Sequence, residues 1–319
     1  MNRLTPLVAL AASAAATTRR RMTHGPLRPS WSWRFEVVVG TLKRLSAHLA
    51  SLPWAEQRRG WELLSQPSPV FRRVRREEVT LGGVACARVT PEGSPRGAMV
   101  YLHGGSYLYG SPETHAELIA RLALAAGAAV IAPRYRLAPE HPLPAAIEDA
   151  VSVCRAMQGR FVLAGDSAGG ALALTTAITL RDTGAATPAA LTLLSPWVDM
   201  TAKGGTLEAH SEYDWAEPWM FERWAEAARG SLARDDPRCS PRFAELRGLP
   251  RTLVLLGGAE MLADQVRAFV ESARAQGLAV TLSEHPDMVH NWVTLAGLFP
   301  ACGRGIEEVG AFARAALDG

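Results

Sequence analysis

A chain of 319 residues, 48% hydrophobic and 20% charged, has an ordinary globular composition with apolar material for a large core. The net charge is only +3 and no RNA- or DNA-binding signature accompanies it, which excludes a nucleic-acid partner. Cys86, Cys154, Cys239 and Cys302 are scattered and form no C-x-x-C pair, which excludes a disulfide framework and a cysteine zinc site; no metal is expected.

At the N-terminus Arg3 precedes a small-residue apolar run, Leu4 to Ala16, and Arg19, Arg20 and Arg21 follow. The run has the look of a signal-peptide core but is too short to span a bilayer, which takes about 20 apolar residues. The triple arginine disfavours secretion. The expectation is a cytoplasmic protein with an N-terminal cap helix, and export or membrane attachment through residues 1–18 is the alternative. Residues 1–76 carry 14 Arg and Lys against 3 Asp and Glu. A solvated basic face accounts for this, and weak association with an anionic membrane surface is the rival.

From Trp31 to Leu64 the apolar residues fall at helical spacing, divided by Pro53 and then by Pro67. Residues 1–76 therefore read as a helical cap region. Residues 77–90 alternate around Gly82-Gly83, which predicts a β-hairpin. Strands and helices then take turns. Strands are predicted at Ala98–Leu102, Ala129–Ala132, Phe161–Ala164, Ala190–Leu194, Thr252–Leu256 and Ala279–Ser283. Helices are predicted at Glu113–Ala126, Leu143–Gln158, Ala168–Leu180 and Met261–Gln276, with a last one from about Trp292 to Ala316. Short apolar strands separated by helices mean an α/β fold with a mostly parallel sheet covered on both faces. The Trp- and charge-rich stretch at about 199–250 breaks the rhythm and reads as an insertion over the carboxyl edge of the sheet.

Gly165-Asp166-Ser167-Ala168-Gly169 is a G-x-S-x-G sequence between a strand and a helix, the setting of a nucleophilic serine on a strained turn. His103-Gly104-Gly105-Ser106 follows the strand Ala98–Leu102. Glycine-rich turns in that place expose N–H groups to a tetrahedral oxyanion, and the amide of Ala168 completes the set. A serine hydroxyl needs a base. His285 and His290, after the last strand, both fit that role. The acid belongs after the strand Thr252–Leu256, where Glu260 lies in the turn and Asp264 one helical turn further on.

With these stand Tyr135-Arg136-Leu137-Ala138-Pro139-Glu140-His141-Pro142, Ser195-Pro196-Trp197-Val198-Asp199 and Met288-Val289-His290. Several such motifs in one order make residues 77–319 resemble the hormone-sensitive-lipase family of esterases. The resemblance implies an α/β-hydrolase fold with a helical cap, and a catalytic domain over 77–319. It implies Ser167, Glu260 and His290 as the triad and the amides of Gly105, Ser106 and Ala168 as the oxyanion hole. His103, Gly104 and Asp166 then support them. Two positions depart from the family pattern: the H-G-G-G turn ends in Ser106, and the D-P-L acid motif reads Glu260-Met261-Leu262. The implied reaction is cleavage of short- to medium-chain or aryl esters or lactones, with a small-molecule ester as partner and no cofactor. A dimer is compatible with the sequence. The rival is a non-catalytic small-molecule-binding protein on a hydrolase scaffold, against which the presence of His290 argues.

Overall fold

The computed structural model describes residues 4–65, 68–93 and 95–319. Arg3 and the helix break expected at Pro67 lie outside the described residues. The N-terminal region is helical: α1 (Leu4–His24), α2 (Trp33–Ala50) and α3 (Trp54–Leu63). Ala9, Ser13 and Thr17 of α1 are buried, and small residues let α1 lie close on α2 at Gly40. Arg21 pairs with the buried Glu36 at 2.9 Å. Ser32 caps α2 by accepting from the Phe35 N–H at 3.1 Å, and Pro53 sets the start of α3.

The sheet follows. β1 (Val74–Leu81) and β2 (Val84–Pro91) form the expected hairpin around Gly82-Gly83. Then come β3 (Ala98–Leu102), α4 (Ala116–Ala126), β4 (Ala129–Pro133), α5 (Ala145–Ala156), β5 (Phe161–Asp166), α6 (Ala168–Asp182) and β6 (Ala190–Leu194). After α7 (Thr206–Ala209) and α8 (Pro218–Arg229) the pattern resumes with β7 (Thr252–Gly257), α9 (Ala263–Ala275), β8 (Val280–His285) and α10 (Pro300–Leu317). The eight strands run in the order β1-β2-β4-β3-β5-β6-β7-β8. β2 meets both β1 and β4 antiparallel, and every pairing from β4 to β8 is parallel.

Alternation along the strands sorts the core into two layers. Met99 and Tyr101 of β3 face α4 and α10, while Val100 and Leu102 face α5 and α6. β5, β6 and β7 are buried along their whole length, as expected of strands covered on both sides.

Four predicted helices start or divide differently, and α5 begins at Ala145, just past Pro144, rather than at Leu143. The helix expected at Glu113 begins at Ala116, because the hydroxyls of Ser111 and Thr114 capture local amides in a turn. α9 begins at Ala263, after the turn that carries Glu260. The last helix is two pieces, a 3-10 turn at Trp292–Leu295 and then α10, because Pro300 cannot continue a helix entering from Phe299 and instead opens a new one.

The N-terminal helices and the 199–250 stretch pack on each other. Lys43 pairs with Glu217 at 3.1 Å, Ser46 meets the Met220 sulfur at 3.6 Å, and Arg223 lies over the Trp54 ring at 4.3 Å. The loop between α1 and α2 reaches the segment after β8: Arg28 and Ser30 bind the Asp287 carboxylate, each at 2.7 Å, and the Trp31 indole donates to its carbonyl at 2.6 Å.

Candidate active site

β5 ends at Asp166 and α6 begins at Ala168, so Ser167 takes the whole turn between them, with φ 52° and ψ −121°. A non-glycine residue held there costs on the order of 1–3 kcal/mol and needs support from its surroundings. The Ser167 N–H donates to the Leu194 carbonyl and its C=O accepts from the Trp197 N–H, both at 2.9 Å. Close passage of helix and strand requires Gly169, where a Cβ would stand 2.1 Å from the Leu102 carbonyl oxygen.

At the end of neighbouring β3, His103-Gly104-Gly105-Ser106 turns beneath the same space. Gly105 has φ 118°, and a Cβ there would collide with the Tyr109 carbonyl. Ser106 occupies the left-handed region at φ 56°, at a cost of about 1 kcal/mol against glycine. Ser106 therefore adopts a backbone conformation that glycine takes more readily. Among the described residues, the amides of Gly105 and Ser106 donate to no protein group. The Ala168 N–H is the first of α6 and has no carbonyl to bind within that helix.

His290 stands in the loop after β8, with its Nε2 2.9 Å from the Ser167 Oγ. Its Nδ1 lies 3.8 Å from Glu260 Oε1, an ion-pair separation longer than a hydrogen bond. Glu260 sits in the turn after β7 and is fully buried; its Oε2 accepts from the Ser195 hydroxyl at 2.6 Å and the Gly257 N–H at 3.1 Å. Burial raises the Glu260 pKa. Burial alone would lower that of His290, but the carboxylates of Glu260, Asp214 and Asp166 outweigh it and hold the imidazole above its usual range.

Of the two histidines that spacing left open, His285 turns instead to Glu308 on α10, at 3.2 Å, and packs on Trp292. Asp264 is exposed and accepts from the Thr206 N–H. His103 is buried, stacked on Tyr135 at 4.2 Å, and burial drives its pKa down to about 3, so it is neutral.

Asp166 ties the turns together. Its Oδ1 accepts from the Tyr101 hydroxyl at 2.5 Å and the Gly104 N–H at 2.8 Å, and its Oδ2 from the Asn291 side chain at 2.6 Å. His115 is 3.4 Å from the same oxygen. Burial alone would raise the Asp166 pKa, but His115 and these donors lower it. His115, Asn291 and Asp214 escaped the sequence reasoning, and Ser195 figured there only as part of a motif, without a role. Asn291, next to His290 in the Met288-Val289-His290 motif, was the one within reach.

Ser167 opens into a cavity of about 250 Å³. Its floor is Gly105, Ser106, Ser167 and His290, and its walls are largely aromatic: Trp61, Tyr109, Trp215, Phe221 and Trp224. Trp61 stacks on Tyr109 at 5.5 Å, and Trp224 meets Tyr109 edge-on at 6.1 Å. Among the described residues no group of three or more His, Cys, Asp or Glu could hold a metal ion.

A serine, an imidazole and a carboxylate in line at the carboxyl ends of parallel strands, beside unpaired amides, suit acyl transfer. A family model described as alpha/beta hydrolase fold matches residues 99–294. An acetyl-hydrolase of Streptomyces hygroscopicus is 41% identical over 248 residues, which are 75% of this chain and 82% of that protein.

The chain belongs to the hormone-sensitive-lipase family of α/β-hydrolase-fold esterases.

A crystal structure of an esterase from the bacterial branch of this family superposes with a TM-score of 0.80 at 33% identity, covering 86% of this chain and 98% of the other. A family member from a metagenome library gives 0.82 at 33%, covering 86% and 97%. An esterase of Acinetobacter venetianus is 31% identical, over 74% of this chain and 80% of its own length. As a member of this esterase family, the chain is a carboxylic-ester hydrolase.

Proposed function

We propose that this esterase works through an acyl-enzyme on Ser167, with His290 as general base and Glu260 orienting the imidazole. The observation that carries the reading is the 2.9 Å approach of the His290 Nε2 to the Ser167 Oγ. Ser167 attacks the ester carbonyl as His290 takes its proton. The resulting oxyanion is met by the amides of Gly105, Ser106 and Ala168, each such donor worth about 3 kcal/mol in the transition state. His290 then protonates the leaving alcohol, and water activated by the same imidazole releases the acid. Approach of substrate would draw Glu260 and His290 closer than 3.8 Å, since such contacts often tighten only in the complex.

The helices α1, α2 and α3 together with the 199–250 insertion serve as the cap, and the catalytic domain expected over 77–319 begins a little earlier, at Val74, where β1 joins the sheet. The aromatic wall and a space of about 250 Å³ favour short- to medium-chain acyl groups, aryl esters or lactones. A crystal structure of a similar esterase was obtained with a p-nitrophenyl butyrate soak, and that ester is a suitable probe here. Hydrolysis by the wild type, abolished in Ser167→Ala, supports the mechanism. Turnover that survives the substitution overturns it, and binding without turnover in the wild type favours the ligand-binding scaffold instead.

A second reading concerns location. Leu7, Val8, Leu10 and Met22 of α1 are exposed, and Arg19 stands among them. Among the described residues no helix is long and apolar enough to cross a membrane. These features support weak peripheral attachment. Sedimentation with anionic vesicles, reduced in Leu7→Gln/Val8→Gln, tests it; no sedimentation of the wild type refutes it.

A further inference from the structure

Asp214 lies between α7 and α8, within the insertion, and is 1% exposed. A buried carboxylate is costly unless its oxygens are filled. Here every hydrogen-bond partner is a main-chain N–H. Oδ1 accepts from Trp215 at 2.8 Å and from His290 at 3.2 Å, and Oδ2 accepts from Met261 at 2.9 Å. Burial pushes the Asp214 pKa up, opposed by His290 and by these N–H groups; acceptance from three donors, with no acceptor opposite, suits the ionised form.

The identity of those amides matters more than their number. His290 bears the imidazole, and Met261 directly follows Glu260. One side chain of the insertion therefore holds the backbone under both the base and its acid. The neighbouring residue completes the grip: the Trp215 indole N–H donates to the His290 carbonyl at 2.9 Å, and its ring lies 5.5 Å from the imidazole. The N–H and the C=O of His290 are thus bound by two consecutive residues of the cap.

We infer that Asp214 is a positioning residue, through which the cap insertion sets the seat of the Glu260–His290 pair and makes covering and chemistry one mechanical unit. The inference rests on the Ser167–His290 mechanism proposed above. Glu260 and Asp166 are the other carboxylates facing His290. His115 stands behind Asp166, and the His210 Nδ1 is 3.1 Å from the Glu260 carbonyl oxygen.

Asp214→Asn tests it. The amide keeps the volume but turns an NH2 toward at least one of the N–H groups now bound. With p-nitrophenyl butyrate, kcat is expected to fall roughly 10- to 100-fold, the scale of a small misplacement of the base. KM is expected to stay within about threefold, because the cavity walls are untouched. The acid limb of kcat/KM is expected to move to lower pH, because a negative charge favouring the imidazolium is gone. Trp215→Phe keeps a ring but removes the indole N–H, and should lower kcat by a smaller factor with the limb in place.

A lowered melting temperature with wild-type kcat per titrated Ser167 and an unmoved limb would reduce Asp214 to ordinary structural support and overturn the inference. Should Asp214→Asn fail to fold, Trp215→Phe decides, and an unchanged kcat there is equally fatal. Ser167→Ala separates the two claims. If that variant remains active, the mechanism itself falls; if it is dead while Asp214→Asn is fully active, only the positioning role falls.

Discussion

Ser167 and Glu260 are held by hydrogen bonds to the ends of neighbouring strands, at Leu194, Trp197, Ser195 and Gly257. Trp61, Tyr109, Phe221 and Trp224, a few ångströms above, are held chiefly by one another's rings. Hydrogen bonds to main chain fix atoms to within tenths of an ångström, as general-base chemistry needs. Aromatic packing fixes shape more loosely and tolerates exchange. Changes to the floor, and to Asp214 and Trp215 that brace it, should therefore act on kcat, and changes to the aromatic rings of the cover on KM and on the choice of acyl chain.

The strongest attempt to break this division is Ser167→Ala. It should remove about 10^6-fold of kcat, the scale seen when a triad nucleophile is deleted, while a phosphonate ester no longer labels the protein in intact-mass spectrometry. Glu260→Gln keeps size but loses the charge that orients the imidazole, and should cost about 10^3- to 10^4-fold in kcat with little change in KM. A variant above a tenth of wild-type kcat would mean that another carboxylate acting on His290, Asp214 or Asp166, does that work. On the cover, Trp224→Ala should leave the butyrate kcat within about threefold and favour longer acyl chains by about tenfold in kcat/KM. A loss of kcat across all chain lengths would show that the cover is as exacting as the floor.

The smallest effect concerns pH. His290 must be neutral to accept the serine proton, and its carboxylate neighbours hold its pKa above 6.5. Activity should therefore fall as pH drops through a midpoint above 6.5, and Glu260→Gln should move that midpoint down. A wild-type midpoint at or below 6.5 would mean that burial, not the carboxylates, governs the base.

Much of the floor was legible in the sequence because it depends on backbone. A strand–Ser–helix turn needs small residues at fixed offsets, so Gly165, Gly169 and the 103–106 turn announce themselves. The hairpin at Gly82-Gly83 and the apolar strands did so for the same reason. The division between His285 and His290 was legible from the Met288-Val289-His290 resemblance but not from spacing, because both follow β8, and only the direction of each side chain sends one to Glu308 and the other to Ser167. Asp214 was hidden for another reason: it sits in a stretch with no periodic pattern, and its partners are amides, which leave no trace in residue identity. His115 gives no signal in the sequence either, because only the turn that delays α4 to Ala116 brings its ring to Asp166. At Trp292 the apolar spacing was right and the helix was not, since Pro300 outweighs it.

The cover is made from two stretches that lie far apart in the chain, Lys43 meeting Glu217 and Ser46 meeting Met220. During synthesis, which runs from the N-terminus, α2 and α3 emerge long before α8 exists to receive them. Their apolar faces must wait through the production of six of the eight strands that follow them. Such late, distant closure slows folding and leaves sticky surface open to other chains. A ribosome-bound fragment ending near residue 200 should accordingly recruit holding chaperones through its first 65 residues, and release them once α8 has emerged.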